Sequence, residues 1–195
     1  MTKTELIKKL DNIWYHYKSH ILIGIFVLAA LIPLVFFDKD KKPSALNVTI
    51  IGNAINPKEQ NALQKKASGE ILNKDSTSEI KFNFWQVSDK LTSPTNMDLY
   101  QKLLAQVAAK DIDIIILDRS DYLVLSQQEA FKELDFIKKD NQNVQTDYDG
   151  ISLTGNELLL HAGYNPDNKM MAIITNTERE KTAKKFVQWI VDQAN

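Results

Sequence analysis

The sequence predicts an α/β fold, with a mainly parallel sheet flanked by helices and preceded by one transmembrane helix. Three observations carry that expectation. After Ala45, short apolar runs rich in β-branched residues alternate with segments of helical periodicity. Before it, Ile21 to Phe37 (ILIGIFVLAALIPLVFF) holds no charge. Finally, the 150 or so residues beyond Ala45 suffice for one compact core of roughly ordinary domain size.

At about 1.5 Å per residue the apolar run covers roughly 25 Å, a little short of a bilayer core, and His20 and Ser19 extend it. Lys3, Lys8, Lys9 and Lys18 precede it, with Trp14, Tyr15 and Tyr17 as an aromatic belt. A basic, aromatic flank predicts a cytoplasmic N-terminus and an uncleaved, single-pass anchor in the cell membrane. A cleaved signal would turn polar before Phe37. Leu6, Ile7, Leu10, Ile13, Trp14 and Tyr17 recur at helical spacing, as in a helix lying at the inner membrane surface. The expected organisation is a juxtamembrane segment over 1–20, the span over 21–37, a charged linker over 38–45, and an extracytoplasmic domain over 46–195.

Within that domain LNVTII (Leu46 to Ile51) reads as a strand ending at Gly52. Pro57 to about Leu72 reads as a helix, with Pro57 suited to its first turn. IKFNFWQV (Ile80 to Val87) alternates apolar and polar residues, as a half-covered edge strand does. Met97 to Ala109 carries the stripe Leu99, Leu103, Leu104 and Val107. Ile112 to Leu117 is nearly all apolar and reads as a strand buried on both faces. Ser120 is placed to cap a short helix through Gln127. A polar loop follows Ile137, then a small strand at Ile151 to Leu153, a short helix at Asn156 to Leu160, and a strand over Met170 to Thr175. Ala183, Phe186, Val187, Ile190, Val191 and Ala194 mark the last helix.

Composition excludes several classes. Lys and Arg number 24 against 25 Asp and Glu, a net charge of −1, which is not a nucleic-acid footprint. Absence of cysteine removes disulfides, thiolate metal sites, cysteine nucleophiles and lipidated-cysteine anchors. His161 stands alone, and Ser126 and Ser152 have no evident base, so no triad assembles and no enzyme is expected. No Gly-rich phosphate loop or other cofactor motif is present, and no cofactor is expected. Asp147-Tyr148-Asp149-Gly150 opens like a calcium loop but lacks the spacing of later ligands, which reads as a turn. His16 and His20 share a helical face without a third ligand, so no metal is expected.

Asp111 to Asp118 (DIDIIILD), a short helix, and then EAFKELDFI resemble a stretch of extracytoplasmic, type 2 periplasmic-like solute-binding proteins. In that family a "D-v-i-i-l-D" strand precedes a helix and a "G-a-f-l-p-L-d" phrase. Glu129 stands where the phrase has its glycine and Glu133 where it often has proline. MMAIITNTEREKTAKKFVQWIVD is similar to the family's closing strand and helix. IWYHYKSHILIGIFVL resembles the anchor of uncharacterised single-pass proteins of low-GC Gram-positive bacteria. Only 32 residues separate Ile137 from Met170, too few for a second lobe. The resemblance therefore implies one truncated lobe, without the opposing wall that clamps a ligand.

Ligands of open α/β sheets sit beyond the carboxyl ends of the strands. Those ends hold Asn53 on the first strand, and Asp118, Arg119 and Ser120 after the third; Trp85 is a further contact candidate. Asp118 and Asp121 also read as acids that balance a helix start. The expectation is a non-catalytic binding or interaction module, an accessory subunit engaging another envelope protein or a transporter. The alternative is a receptor for a small ligand at the strand ends.

Overall fold

The computed structural model describes residues 14–29, 42–72, 77–137, 146–147 and 149–193, within two units, Met1–Lys41 and Lys42–Asn195. In the first unit, residues 14–29 form a helix, α1. Its large apolar side chains are exposed on all sides, Phe26 at 75% and Leu22 at 56%. Among the described residues no helix is long and apolar enough to cross a membrane. The second part of the expected span, 30–37, lies outside the described residues.

The second unit runs β1 (Ser44–Gly52), α2 (Pro57–Ile71), β2 (Glu79–Gln86), α3 (Met97–Ala108), β3 (Ile114–Asp118), α4 (Arg119–Ser126), β4 (Thr146–Asp147), β5 (Gly150–Ser152), α5 (Glu157–His161), β6 (Lys169–Ile173) and α6 (Glu180–Asp192). It is an α/β domain in which helices flank one sheet of order β2-β1-β3-β6-β5-β4.

Strand β1 lies parallel to both β2 and β3, as expected. The expectation of a mainly parallel sheet needs correction, because β6 runs antiparallel to β3 and to β5, and β5 antiparallel to β4. Parallel neighbours need a long crossover, usually helical. Between β5 and β6 the chain offers only the five-residue α5, so it turns back instead. The apolar pattern of Met170 to Ile173 reports a strand buried on both faces but carries no direction.

Successive residues of the central strands feed two cores, because strand side chains alternate between faces. Val48, Ile50, Ile114, Ile116, Met171 and Ile173 pack with Phe186, Val187 and Ile190 of α6 and Leu63 of α2. Ile51, Ile115, Leu117, Met170 and Ala172 pack with Leu103 of α3 and Tyr122 and Leu125 of α4. Leu104, counted in the apolar stripe of α3, is 44% exposed.

Caps define the helix starts. Asn56 accepts from Lys58 N–H at 2.9 Å, with Pro57 in the first turn of α2. Asn156 accepts from Leu159 N–H at 3.0 Å ahead of α5. Ser120 does not cap α4; the helix opens at Arg119, Asp118 holds the cap position, and its side chain makes no capping bond.

The Asp149-Gly150 turn is fastened to α4. Asp149 accepts from the hydroxyls of Tyr122 and, at 2.6 Å, Ser126. The Tyr122 ring stacks on Phe131 with centroids 5.3 Å apart and rings 4° from parallel. A Cβ built on Gly150 would lie 2.5 Å from that ring, which stacking keeps from yielding. Gly150→Ala is therefore expected to cost about 1–3 kcal/mol. Urea titration checks it, and the same substitution should cost less when made in a Tyr122→Leu background. An unchanged midpoint in Gly150→Ala would refute the clash.

Candidate functional site

The carboxyl ends of β1 and β3 finish level with each other, since Ile50 pairs with Ile116 two residues earlier. Antiparallel β6 begins at this edge, where Lys169 pairs with Asp118. Sequence reasoning did not find Lys169, because its place follows from the direction of β6.

Lys169 Nζ lies 2.8 Å from Asp118 Oδ1, with the lysine side chain 11% exposed. The two charges compensate each other. Arg119 follows at the start of α4, its N–H donating to Asn168 O at 2.9 Å and its guanidinium 3.9 Å from Met170 Sδ. Ser120 is half-buried beside it.

Tyr164 closes the edge. Its hydroxyl donates to Ile51 O at 2.9 Å, and its side chain is almost entirely buried. Gly52 permits this, since a Cβ there would stand 3.0 Å from the Tyr164 ring and 3.4 Å from Lys169 Nζ. Asn53 staples the same loop. Its Nδ2 donates to Gly163 O at 3.2 Å, and its Oδ1 accepts from Asn165 N–H at 3.3 Å. The predicted residues Asn53 and Asp118 thus meet at one edge, but each is turned toward the chain's own 163–169 segment. Tyr164 carried no sequence signal, because Gly52 and Tyr164 are far apart in the chain.

Burial, and then the nearby Asp118 charge, push the Tyr164 hydroxyl above the ordinary phenol range. The folded chain therefore keeps this proton at a pH where the unfolded chain, with a phenol near about pH 10, releases it. Its contribution is complete below about pH 10 and is lost as pH rises above that value. Alkaline titration of stability should show this fall, and Tyr164→Phe should flatten it. Parallel curves for the two proteins would refute the assignment.

Trp85 lies elsewhere. Only 8% exposed, it packs in the core beneath α3, with Lys102 Nζ 4.6 Å from its ring centroid. As a contact residue it is thus withdrawn from the surface, because α3 covers that face of β2. Trp14, Tyr15 and Tyr17 are 53%, 76% and 57% exposed on α1, and Lys18 is exposed beside them.

Between α2 and α5 a depression of about 180 Å3 is lined by Glu59, Lys66, Leu158 and His161. Ligand pockets run from roughly 300 Å3 upward. Among the described residues no three metal-ligating side chains gather. No protein-family model matches the chain, and no curated protein or solved structure matches it either.

Proposed function

We propose that this chain is a membrane-tethered, non-catalytic interaction module, anchored through 21–37 with its α/β domain outside the cell. It engages another envelope protein or a transporter as an accessory subunit. One observation carries the choice of module over receptor. The strand ends where an open α/β sheet takes its ligand are occupied by Tyr164, the Asn53 staple and the Lys169–Asp118 pair.

Two further features support the reading. Exposed apolar side chains surround α1, as suits a helix whose surroundings are lipid. Glu129 stands at the glycine position of the solute-binding phrase and adopts a left-handed φ of 56°, the conformation glycine serves most easily.

Crosslinking in intact membranes should recover one specific protein with this chain. Recovery of lipid alone, across several crosslinker lengths, would count against the proposal. The receptor reading requires Tyr164 to leave the strand ends. It would take over if a metabolite, ion or peptide from a broad screen raised the thermal midpoint of the full chain.

A further inference from the structure

The two helical faces of the domain differ in what they show to solvent. Helix α2 exposes three lysines and two glutamates, and α6 exposes Lys181, Lys185 and Asp192. Neither exposes a large apolar side chain. On the other face of the sheet the pattern reverses. Met97 and Leu104 of α3 and Leu123 and Val124 of α4 are exposed, four of the five such side chains among the described residues of this unit. Gln101, Ala105 and Ala108 stand exposed between or beside them at helical spacing. The exposed charges of α3 are Asp98 and Lys102, one of each sign, and α4 exposes none. A broad uncharged face of this kind marks an interaction surface.

The course of the chain shows what this face meets. Helix α3 leads into Asp113, whose N–H donates to Asn47 O at 3.0 Å near the start of β1. Helix α4 leads to Ala130, whose carbonyl accepts from Thr175 N–H at 2.9 Å, and the preceding Ile174 N–H donates to Asp113 O at 2.9 Å. Both helices therefore end at the edge of the sheet where β1 begins. Six residues separate Ser44 at that edge from Phe37, the last residue of the apolar run. Fully extended they reach roughly 25 Å. An anchor over 21–37 thus holds this edge close to lipid.

We propose that the α3–α4 face lies on the bilayer surface, with Met97, Leu104, Leu123 and Val124 at the boundary between headgroups and acyl chains. The inference rests on the membrane-tethered reading and adds the face that the domain turns to the lipid. The character of the face favours lipid over protein. Protein interfaces turn on aromatic and arginine anchors, and none of the exposed residues of α3 and α4 is aromatic or arginine. With one charge of each sign the face selects no charged partner, which suits zwitterionic lipid. Four aliphatic side chains bind a bilayer weakly from solution. A tether makes the same contact intramolecular, and effective concentration then does the rest.

The chain has no native cysteine, so a single introduced thiol reports a single position. Full-length Ala105→Cys and Gln127→Cys, each carrying a fluorophore, are reconstituted into phosphatidylcholine vesicles that contain a lipid with a quencher high on its acyl chain. Lys65→Cys on α2 and Lys185→Cys on α6 are the controls. Emission should be lost at 105 and 127 and retained at 65 and 185. Leu104→Glu combined with Leu123→Glu should restore emission at 105 and 127, while the chain stays with the vesicles through an alkaline wash. Loss of the chain in that wash would overturn the anchor and this inference together. A retained chain whose labels at 105 and 127 stay bright, or whose four labels dim alike, overturns this inference alone and leaves the face to a protein partner or a second copy. Quenching that survives the two glutamates does the same. Circular dichroism shows whether the glutamate variant folds. Should it not, the comparison of the four labelled positions decides alone.

Discussion

Asp113→Ala is expected to destabilise the domain by about 3–5 kcal/mol, the usual effect of breaking a buried, charged hydrogen-bond hub. Asp113 is fully buried immediately before β3. Its carboxylate accepts from Asn47 N–H at 2.7 Å, from Thr177 Oγ1 at 2.5 Å, and from Arg179 at 3.3 Å to each oxygen. It thus ties the start of β1 to the turn between β6 and α6. Alanine leaves the Asn47 amide and the Thr177 hydroxyl without an acceptor, and Arg179 without its counter-charge. The arginine side chain is 34% exposed, so water offsets part of that last loss. Asp113→Asn should fall between alanine and wild type, since it keeps an acceptor but turns an amide toward the guanidinium. Urea unfolding at neutral pH measures both. A loss below about 1 kcal/mol for alanine would remove Asp113 from its central place.

Tyr164→Ala should cost a similar amount, about 3–5 kcal/mol, with a chemical signature of its own. The buried ring fills the space above Gly52, and its hydroxyl satisfies Ile51 O. Truncation leaves a cavity at the carboxyl edge beside Lys169, whose Nζ stands 5.9 Å from the native ring centroid. A cavity of that shape should accept phenol, which restores both ring and hydroxyl. The thermal midpoint of Tyr164→Ala should therefore climb with phenol concentration while that of wild type does not. Equal responses would mean that the ring does not plug the edge.

Much of this architecture is legible in the residues. Ile112 to Leu117 read as a strand covered on both faces; the strand is Ile114–Asp118, and both faces are covered. The stripe of Ala183, Phe186, Val187, Ile190, Val191 and Ala194 reads as one buried helix face; the first five are buried, and Ala194 lies outside the described residues. Ile80 to Val87 alternate as an edge strand, and β2, Glu79–Gln86, lies at one end of the strand order. Periodicity reports burial well, because it depends only on neighbours in sequence. It reports neither direction nor distant partners. The antiparallel course of β6 was therefore illegible, and with it the pairing of Lys169 with Asp118. Asp113 read as part of a strand phrase, because Thr177 and Arg179 lie more than sixty residues away. Trp85 read as a contact candidate because alternation assigns a residue to a face without showing which helix covers it.

The strand order also dictates when the domain can be completed. Strand β1, the first described strand, lies between β2 and β3, yet Phe186 and Val187 of α6, the last described helix, help cover one of its faces. Until α6 docks, α2 alone shields Leu46, Val48 and Ile50, however well β1, β2 and β3 have paired. Contacts between distant parts of a chain form slowly and leave apolar surface unprotected meanwhile. A fault in α6 therefore leaves part of the apolar face of β1 uncovered for longer, and with it the whole domain.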